Sequence, residues 1–192
     1  MPRKKKTEDS VILKMILRVI IKQGATTFSL EDLSKETGLS PATLLQRFGS
    51  KKEILHKAIE LANHDLQNDL TNRPVGNKSP LQEVMDIYME FSAPFLNPSD
   101  VASGLDILKL DITEERLNHL TRNYFEIRRN KIESLIILAR VNGEISADIN
   151  ADELAWNLEC LWQGSIMMWA LTGEGLLHDW MKERFSTYLN HL

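Results

Sequence analysis

Apolar residues recur at three- and four-residue steps along nearly the whole of this 192-residue chain. The first such run has the spacing of a helix with one buried face. It consists of Val11, Ile12, Met15, Ile16, Val19 and Ile20. No stretch alternates polar and apolar residues for long enough to predict a β-strand. The pattern therefore predicts an all-α fold of about nine helices.

Capping residues mark two short helices near the amino terminus. Ser29 begins a sequence with an acidic residue three positions on, and this predicts a helix over about 30–37. Ser40 followed by Pro41 predicts a second helix over about 41–47, because proline is tolerated at the first helical position. Gly38 suits the tight turn between them, where the chain commonly needs a positive φ angle. The two elements are predicted to form a helix-turn-helix.

The same signals divide the rest of the chain. Further helices are predicted at about 11–23, 50–70, 81–93, 100–110, 113–141, 150–171 and 176–192. Residues 72–80 contain two prolines and a glycine and form the clearest linker. We expect a helix-turn-helix domain over residues 1–57 and a larger helical domain over residues 58–192.

Charge is distributed unevenly between these two parts. Residues 1–57 carry 12 Lys and Arg against 6 Asp and Glu, which gives +6. The remaining residues carry 11 basic and 21 acidic side chains, which gives −10. A basic end on an acidic body suggests that one end meets a polyanion such as DNA. A basic face that is merely solvated is the alternative.

The second short helix carries the side chains best suited to contact DNA. Leu33 and Leu44 are expected to point inward, which leaves the polar face of this helix outward. Glutamine can pair with base edges, alanine and threonine can touch a thymine methyl, and Arg or Lys can reach phosphates. Helix N-termini, such as the one that begins at Ser29, present N–H groups to phosphate oxygens. The candidate DNA-binding residues are Ser29, Ser40, Pro41, Ala42, Thr43, Gln46, Arg47 and Lys51.

Over residues 8–57 the sequence resembles the amino-terminal DNA-binding domain of the tetracycline-repressor (TetR) family of bacterial transcription regulators. The matching positions are Gly38, Ser40, Thr43, Phe48, Ser50 and Lys51. The resemblance implies a homodimer whose recognition helices enter successive major grooves, and a ligand cavity in the larger domain. It also implies that Ser40, Thr43 and Lys51 contact the DNA backbone while Ala42 and Gln46 face the bases. Leu45 stands where the family usually has a phosphate-binding tyrosine.

The helix predicted at 150–171 is apolar around most of its circumference after Glu159. Such a helix must be covered on several sides, and self-association is one way to cover it. The residues assigned to a dimer interface are Trp162, Ile166, Trp169, Phe185 and Leu189. A central helix in a monomeric bundle is the alternative.

Aromatic and sulfur-containing side chains of the larger domain are candidates for a ligand pocket, although each is individually more typical of a core. They are Tyr88, Phe91, Phe95, Leu105, Leu108, Tyr124, Trp156, Cys160 and Met167. Because few charges are expected to point inward, the group favours an apolar or aromatic effector. Cys160, the single cysteine, is expected to be an inert buried thiol.

No motif indicates catalysis, a metal site or a cofactor. The five histidines are scattered, and no phosphate-binding loop or nucleophile elbow occurs. The longest uncharged stretch is too short to cross a bilayer, so we expect a cytoplasmic protein without a membrane partner. The sequence thus predicts a ligand-responsive regulator, most simply a repressor, released from operator DNA by a small molecule. A small helical enzyme and a protein-interaction bundle are the alternatives.

Overall fold

The computed structural model describes residues 8–73, 78–172 and 175–191. Within these ranges the chain forms nine α-helices and no β-strand, which confirms the all-α prediction. The helices are α1 (Asp9–Gln23), α2 (Leu30–Thr37), α3 (Pro41–Phe48), α4 (Lys51–Thr71), α5 (Pro80–Ser92), α6 (Pro98–Thr113), α7 (Glu115–Val141), α8 (Ala151–Thr172) and α9 (Leu177–Leu189). The basic residues Arg3, Lys4, Lys5 and Lys6 and the middle of the predicted linker lie outside the described residues.

Helix ends lie within two residues of the sequence predictions except at the ends of α6 and α9. Helix α9 ends at Leu189 instead of residue 192, and α6 begins at Pro98, two residues before its predicted start, and continues to Thr113 instead of ending near Leu110. Proline is suited to the first helical position. The Oδ2 atom of Asp100 accepts the backbone N–H groups of Leu96 and Asn97, each at 2.8 Å, so the acid predicted to start the helix instead caps it from within.

The chain forms two compact units that are each discontinuous in sequence. Unit 1 comprises Met1–Asn68 and Ala102–Tyr124, and unit 2 comprises Asp69–Val101 and Phe125–Leu192. Helices α4, α6 and α7 therefore contribute residues to both units. The domain boundary predicted after residue 57 falls inside α4. It stays a prediction about where the DNA-binding part ends, whereas the two compact units are defined by which residues pack together.

The core of unit 1 brings α1 to α4 together around aliphatic and aromatic side chains. Its members include Ile12, Ile16, Ile20, Phe28, Leu33, Leu44, Phe48, Ile54, Ala58 and Leu117. Leu117, from the first part of α7, is completely buried in this core. The helix-turn-helix is thus held by apolar burial on one side of α2 and α3, which leaves their other sides available.

The core of unit 2 is formed chiefly by α5, α8 and α9. Tyr88 of α5 packs against Phe185 of α9, with ring centroids 5.0 Å apart. Trp162 of α8 packs near Tyr88, and its Nε1 donates a 3.0 Å hydrogen bond to the Oγ of Ser92 at the end of α5. Each of the described helices is too short or too polar to span a membrane.

Candidate nucleic-acid interface and effector region

The α3 helix has one buried face and one exposed face. Leu44 and Phe48 are buried in the unit 1 core, at 0% and 2% exposure. Ala42, Thr43 and Gln46 are exposed, and so is Ser40 immediately before the helix. The structure therefore brings the predicted base-reading positions onto one accessible surface. A helix of eight residues is about 12 Å long, which is short enough to lie in a major groove.

The geometry of the turn fixes the direction of α3. Gly38 has φ 69°, a left-handed conformation that glycine adopts without strain, and its N–H donates to the Ser34 carbonyl at 2.9 Å. Ser40 then caps α3, because its Oγ accepts the backbone N–H of Thr43 at 3.2 Å. The hydroxyls of Ser40 and Thr43 also lie 2.8 Å apart. These two predicted phosphate contacts are thus already oriented by the helix that they begin.

The hydrogen-bonding groups of Ser29 are already used by the first turn of α2. Its Oγ accepts the N–H of Asp32 at 3.1 Å, and its N–H donates to the Asp32 carboxylate at 3.0 Å. The Ser29 hydroxyl also donates to this carboxylate, and together with the Ser29 N–H it holds the pKa of Asp32 below its usual range, so the carboxylate is ionised at the first turn of α2. A negative charge at this helix N-terminus makes Ser29 a weaker phosphate site than the sequence suggested.

Two lysines border the end of α3. The Nζ of Lys57 donates to the carbonyl oxygen of Phe48 at 2.9 Å, which satisfies the last turn of α3 from α4. Lys51 is exposed, and its ammonium lies 4.4 Å from the centroid of the Phe28 ring. The cation–π contact steadies a phosphate-binding candidate without neutralising it. The sequence did not assign Lys57 a role, although its position in the second turn of the helix predicted at 50–70 was visible.

Arg47 differs from the sequence expectation. Its guanidinium pairs with the carboxylate of Asp9 at the start of α1, and its side chain is only 14% exposed. It also lies against the ring of Phe48, at 5.5 Å. In this arrangement Arg47 ties α1 to α3, and its charge is already partly balanced. The sequence interpretation treated it as a phosphate contact because an acid 38 positions away leaves no local signal.

The residues assigned to the dimer interface are instead buried within one protomer. Their exposures are 9% or less. They are Trp162, Ile166, Trp169, Phe185 and Leu189. Side chains that already pack against their own core cannot cover a partner, so this placement argues against the assignment. The physical reason is that α8 is apolar on both sides, and the sequence cannot tell which side meets α9.

The opposite side of α8 exposes a separate set of apolar residues, which we call the α8 stripe. It consists of Trp156, Cys160, Met167, Met168 and Leu171. Trp156, Cys160, Met167 and Leu171 are spaced by four and seven residues and follow one face of the helix, and Met168 lies at the edge of that face. The expectation of a buried, inert Cys160 is wrong, since the thiol is exposed. Contiguous apolar residues on a surface are typical of interaction sites.

The candidate pocket residues differ in their exposure and in the unit to which they belong. Trp156, Cys160 and Met167 lie on the α8 stripe, and Leu105 of α6 is 39% exposed. Leu108, Phe95 and Phe91 are half-buried, whereas Tyr88 and Tyr124 are buried at 1% and 7%. Tyr88 and Phe91 both pack near Trp162, with each ring centroid 6.4 Å from that indole. This aromatic group in unit 2 is the part of the assignment that the structure brings together.

A buried charge pair at this aromatic group was missed. Arg128 of α7 is 2% exposed and pairs with Glu159 of α8. Burial raises the pKa of Glu159, although Arg128 acts to lower it. The expectation that few charges point inward therefore does not hold here. The signal was present, because Arg128 stands at four-residue spacing between Tyr124 and Ile132, where an apolar residue is expected.

A second polar cluster in unit 1 ties α4 to the junction of α6 and α7. Glu114 accepts from Lys52 at 2.9 Å and contacts the buried His56 at 2.8 Å. Arg116 adds ion pairs to Glu53 and Glu60. Among the described residues, no three His, Cys, Asp or Glu side chains come together in a way that could hold a metal ion. The ion pairs of this cluster link α4 to the α6–α7 junction within unit 1.

Comparisons with known proteins agree with this geometry. Residues 12–58 match the family model of bacterial regulatory proteins of the tetR family. Over 121 residues the chain is 26% identical to the HTH-type transcriptional regulator BetI of Agrobacterium fabrum, an alignment that covers 62% of this chain and 59% of that regulator. The chain thus spans less than two thirds of the length of this curated relative.

Solved structures extend the similarity to the whole fold. A putative transcriptional regulator from Saccharomonospora viridis, in complex with choline, aligns with TM-score 0.75 and 24% identity over 97% of both chains. A TetR regulator from Haloarcula marismortui aligns with TM-score 0.71 and 14% identity over 92% of this chain and 91% of that one. The protein is an all-α regulator of the helix-turn-helix class. Its residues 12–58 match the DNA-binding domain of the tetR family of bacterial regulatory proteins, and its whole fold is similar to that of solved TetR regulators.

Proposed function

We propose that this regulator is a repressor that binds operator DNA as a homodimer and is released by a small-molecule effector. The observation that carries the proposal is the accessible face of α3, on which Ala42, Thr43 and Gln46 are exposed while Leu44 and Phe48 anchor the helix. Helix-turn-helix proteins read bases with such a face and fix their register with contacts to phosphates. DNA binding places its action in the cytoplasm.

The α8 stripe supports the homodimer. A single α3 helix reads only a few base pairs, whereas two copies related by a two-fold axis read a palindromic operator. The stripe supplies an apolar surface that a second copy would cover with the same residues, as in any two-fold interface. We therefore assign the dimer contact to the α8 stripe instead of the interface residues predicted from the sequence. The stripe consists of Trp156, Cys160, Met167, Met168 and Leu171.

The effector is assigned to unit 2. The aromatic group around Trp162 provides apolar and π surfaces, and Arg128 and Glu159 provide polar ones, as small-molecule sites commonly combine. The similarly folded Saccharomonospora viridis regulator was solved with choline, which supports a ligand-binding role for this fold. An effector that binds better to a conformation with the two α3 helices wrongly spaced would release the DNA.

The DNA-binding proposal is tested by selecting binding sites from random double-stranded oligonucleotides and titrating the selected site by fluorescence anisotropy. We expect Gln46→Ala to relax the preference at one or two base pairs, at a cost of about 1–3 kcal/mol for the preferred site. Gln82→Ala is the matched control, since Gln82 is an exposed glutamine on α5. Affinity should fall steeply with salt.

An enzyme or a protein-interaction bundle would behave differently in this assay. In either case, selection would enrich no sequence, and whatever binding remained would not respond to Gln46→Ala. Equal loss of affinity in the Gln46→Ala and Gln82→Ala proteins would also contradict the assignment of α3 as the recognition helix.

The dimer is tested by sedimentation velocity over a range of protein concentrations. Met167→Lys places a charge in the middle of the α8 stripe, and we expect it to shift the protein to monomer because an unpaired buried charge is costly at an interface. Asn142→Lys, at an exposed turn residue, is the control and should leave the dimer unchanged. A Met167→Lys protein that sediments like the parent would rule out this surface.

A further inference from the structure

Arg128 has the largest completely buried side chain in the part of the chain that the structure describes. Its guanidinium carbon lies 4.8 Å from the centroid of the Phe91 ring, 4.9 Å from Phe125 and 5.0 Å from Trp162. Aromatic faces at these distances attract a cation, and the attraction is stronger where water is excluded. Three aromatic rings therefore contact the guanidinium and help to hold it in place.

Glu159 is the charged partner of Arg128, and the two members of the pair are held unequally. The Glu159 side chain is 16% exposed, against 2% for Arg128. Burial raises the pKa of Glu159 even though Arg128 and hydrogen bonds from Gln163 and Tyr88 lower it. The carboxylate is thus the less well stabilised member, and it lies at the edge of the cluster.

Stability alone does not account for the pair. A buried ion pair commonly gives no more stability than apolar side chains of similar volume, because both charges must be removed from water. Rings such as those of Phe91 and Trp162 would pack equally well around an aliphatic residue. A guanidinium at the centre of an aromatic group does, however, provide a strong site for a planar anion, since it can donate two parallel hydrogen bonds to a carboxylate.

We propose that Arg128 is the cation that binds the effector, and that the effector is an organic acid with an apolar or aromatic body. Its carboxylate replaces that of Glu159 on the guanidinium, and its body packs against the rings around Arg128. Glu159 turns toward solvent along the edge that it already exposes, so one buried carboxylate is exchanged for another. This inference rests on the proposed function, because it names the class of the effector.

An organic cation is the competing occupant of the same aromatic group. To enter, it would have to displace Arg128, which would lose three ring contacts and the pair with Glu159 together. An acid that displaces Glu159 leaves all three ring contacts of Arg128 intact. The geometry therefore favours the acid.

Isothermal titration calorimetry on the full chain separates these cases. The probes are straight-chain carboxylates from acetate to decanoate and 3-phenylpropionate, each with the alcohol of the same carbon skeleton, together with 3-phenylpropylamine and choline. We expect at least one carboxylate to bind about tenfold or more tightly than its matched alcohol, because a charge-assisted pair with a guanidinium is gained. If no carboxylate binds better than the alcohol, the proposal fails.

Glu159→Gln should change the affinities for carboxylates and for cations in opposite directions, and this provides a second test. Removing the competing negative charge should tighten carboxylate binding by about tenfold, whereas it should weaken binding of an amine or of choline. Glu153→Gln, at an exposed glutamate on the same helix, should change neither. Tighter binding of the cations in the parent, weakened by Glu159→Gln, would overturn the proposal in favour of a cation site. Carboxylate binding that is unchanged by Glu159→Gln would show that the ion pair is structural only.

Arg128→Met is the complementary variant, and circular dichroism must show that it folds. It should lose the preference for the carboxylate over the alcohol; if it keeps that preference, the proposal is wrong. Should either variant fail to fold, the comparison of acid, alcohol and amine on the parent protein decides the question alone.

The DNA titration distinguishes this inference from the proposed function. Operator binding with no carboxylate preference would refute only the effector class. A carboxylate preference that depends on Arg128, in a protein that selects no DNA sequence, would refute only the regulator mechanism.

Discussion

The α3 and α8 helices differ in how clearly their sequences show which side is exposed. In α3, the buried positions Leu44 and Phe48 are apolar, whereas the exposed face carries Thr43 and Gln46. In α8, the buried Trp162 and Trp169 face the core, while the exposed face is apolar as well. The polarity pattern therefore orients α3 but leaves the orientation of α8 undetermined.

The difference reflects what each exposed surface is proposed to contact. A surface that binds DNA must be polar and can be distinguished from a core by composition. A surface that binds a second copy of the chain resembles a core in composition. In the proposed arrangement, the residues that the sequence assigned to the interface belong to the core, and three that it assigned to the pocket lie on the α8 stripe.

The largest expected effect tests which side of α8 faces the core, and it uses two tryptophans of that helix. Trp162→Ala should lower the free energy of unfolding by about 3–5 kcal/mol, because it leaves a cavity in the core and removes the hydrogen bond to Ser92. Trp156 is 52% exposed, and Trp156→Ala should cost about 1 kcal/mol or less in the monomer. Urea unfolding measures both changes.

The concentration dependence of these unfolding curves sharpens the test. The loss in Trp162→Ala should be the same at all protein concentrations, whereas any loss in Trp156→Ala should grow at concentrations where the parent is dimeric. If Trp156→Ala were as destabilising as Trp162→Ala in dilute protein, the orientation of α8 described above would be wrong.

The next largest effect concerns the two adjacent leucines of α3. Leu44→Ala should destabilise the protein by about 2–5 kcal/mol, because Leu44 is completely buried. Leu45 is 39% exposed, so Leu45→Ala should change the free energy of unfolding by less than about 1 kcal/mol. Thermal unfolding followed by circular dichroism compares the two variants. Similar melting temperatures for both would contradict the orientation of α3.

Particular residues show how far the sequence leads. The capping serines Ser29 and Ser40 and the left-handed Gly38 located α2 and α3, because these signals are local. The partners of Arg47 and Arg128 were not predicted, because Asp9 and Glu159 come from distant parts of the chain and meet them only through packing. The spacing of α7 did mark position 128 as a core position, so the buried arginine was detectable even though its partners were not.

A half-buried acid in unit 1 gives a smaller effect that depends on pH. Burial raises the pKa of Asp111 from 3.8 to about 6, and among the described residues its Oδ1 has no hydrogen-bond partner. The folded protein therefore keeps a proton that the unfolded chain loses, so this group lowers the free energy of unfolding as pH rises from about 4 to about 6.

Asp111→Asn removes this cost. It should raise the free energy of unfolding by about 1–2 kcal/mol at neutral pH, after a discount for the partial exposure of the side chain. The gain should vanish near pH 4, where the parent is protonated in the folded state. Urea unfolding at both pH values measures the change, with the exposed Asp148→Asn as the control. A gain of equal size at both pH values would mean that ionisation of Asp111 is not its cause.

The smallest expected effect concerns the edge of the DNA-binding face. The ion pair with Asp9 partly neutralises the charge of Arg47 at the end of α3, and the Asp9 side chain is 63% exposed. Asp9→Asn should change stability by less than about 1 kcal/mol, because exposed ion pairs contribute little. It should increase affinity for the selected DNA site about two- to fivefold, since a negative charge is removed near the phosphates and Arg47 gains freedom to reach them.

The salt dependence of that affinity shows which of the two causes operates. A steeper fall of affinity with salt in Asp9→Asn than in the parent would mean that Arg47 has become a phosphate contact, because each added contact releases further counterions. Glu36→Gln, at an exposed acid on α2, is the control for the general effect of removing one negative charge. If Asp9→Asn and Glu36→Gln raised affinity equally, with unchanged slopes, Arg47 would serve only to tie α1 to α3. DNA binding by α3 would then come from Gln46 and its exposed neighbours alone, and the DNA-binding surface would end before residue 47.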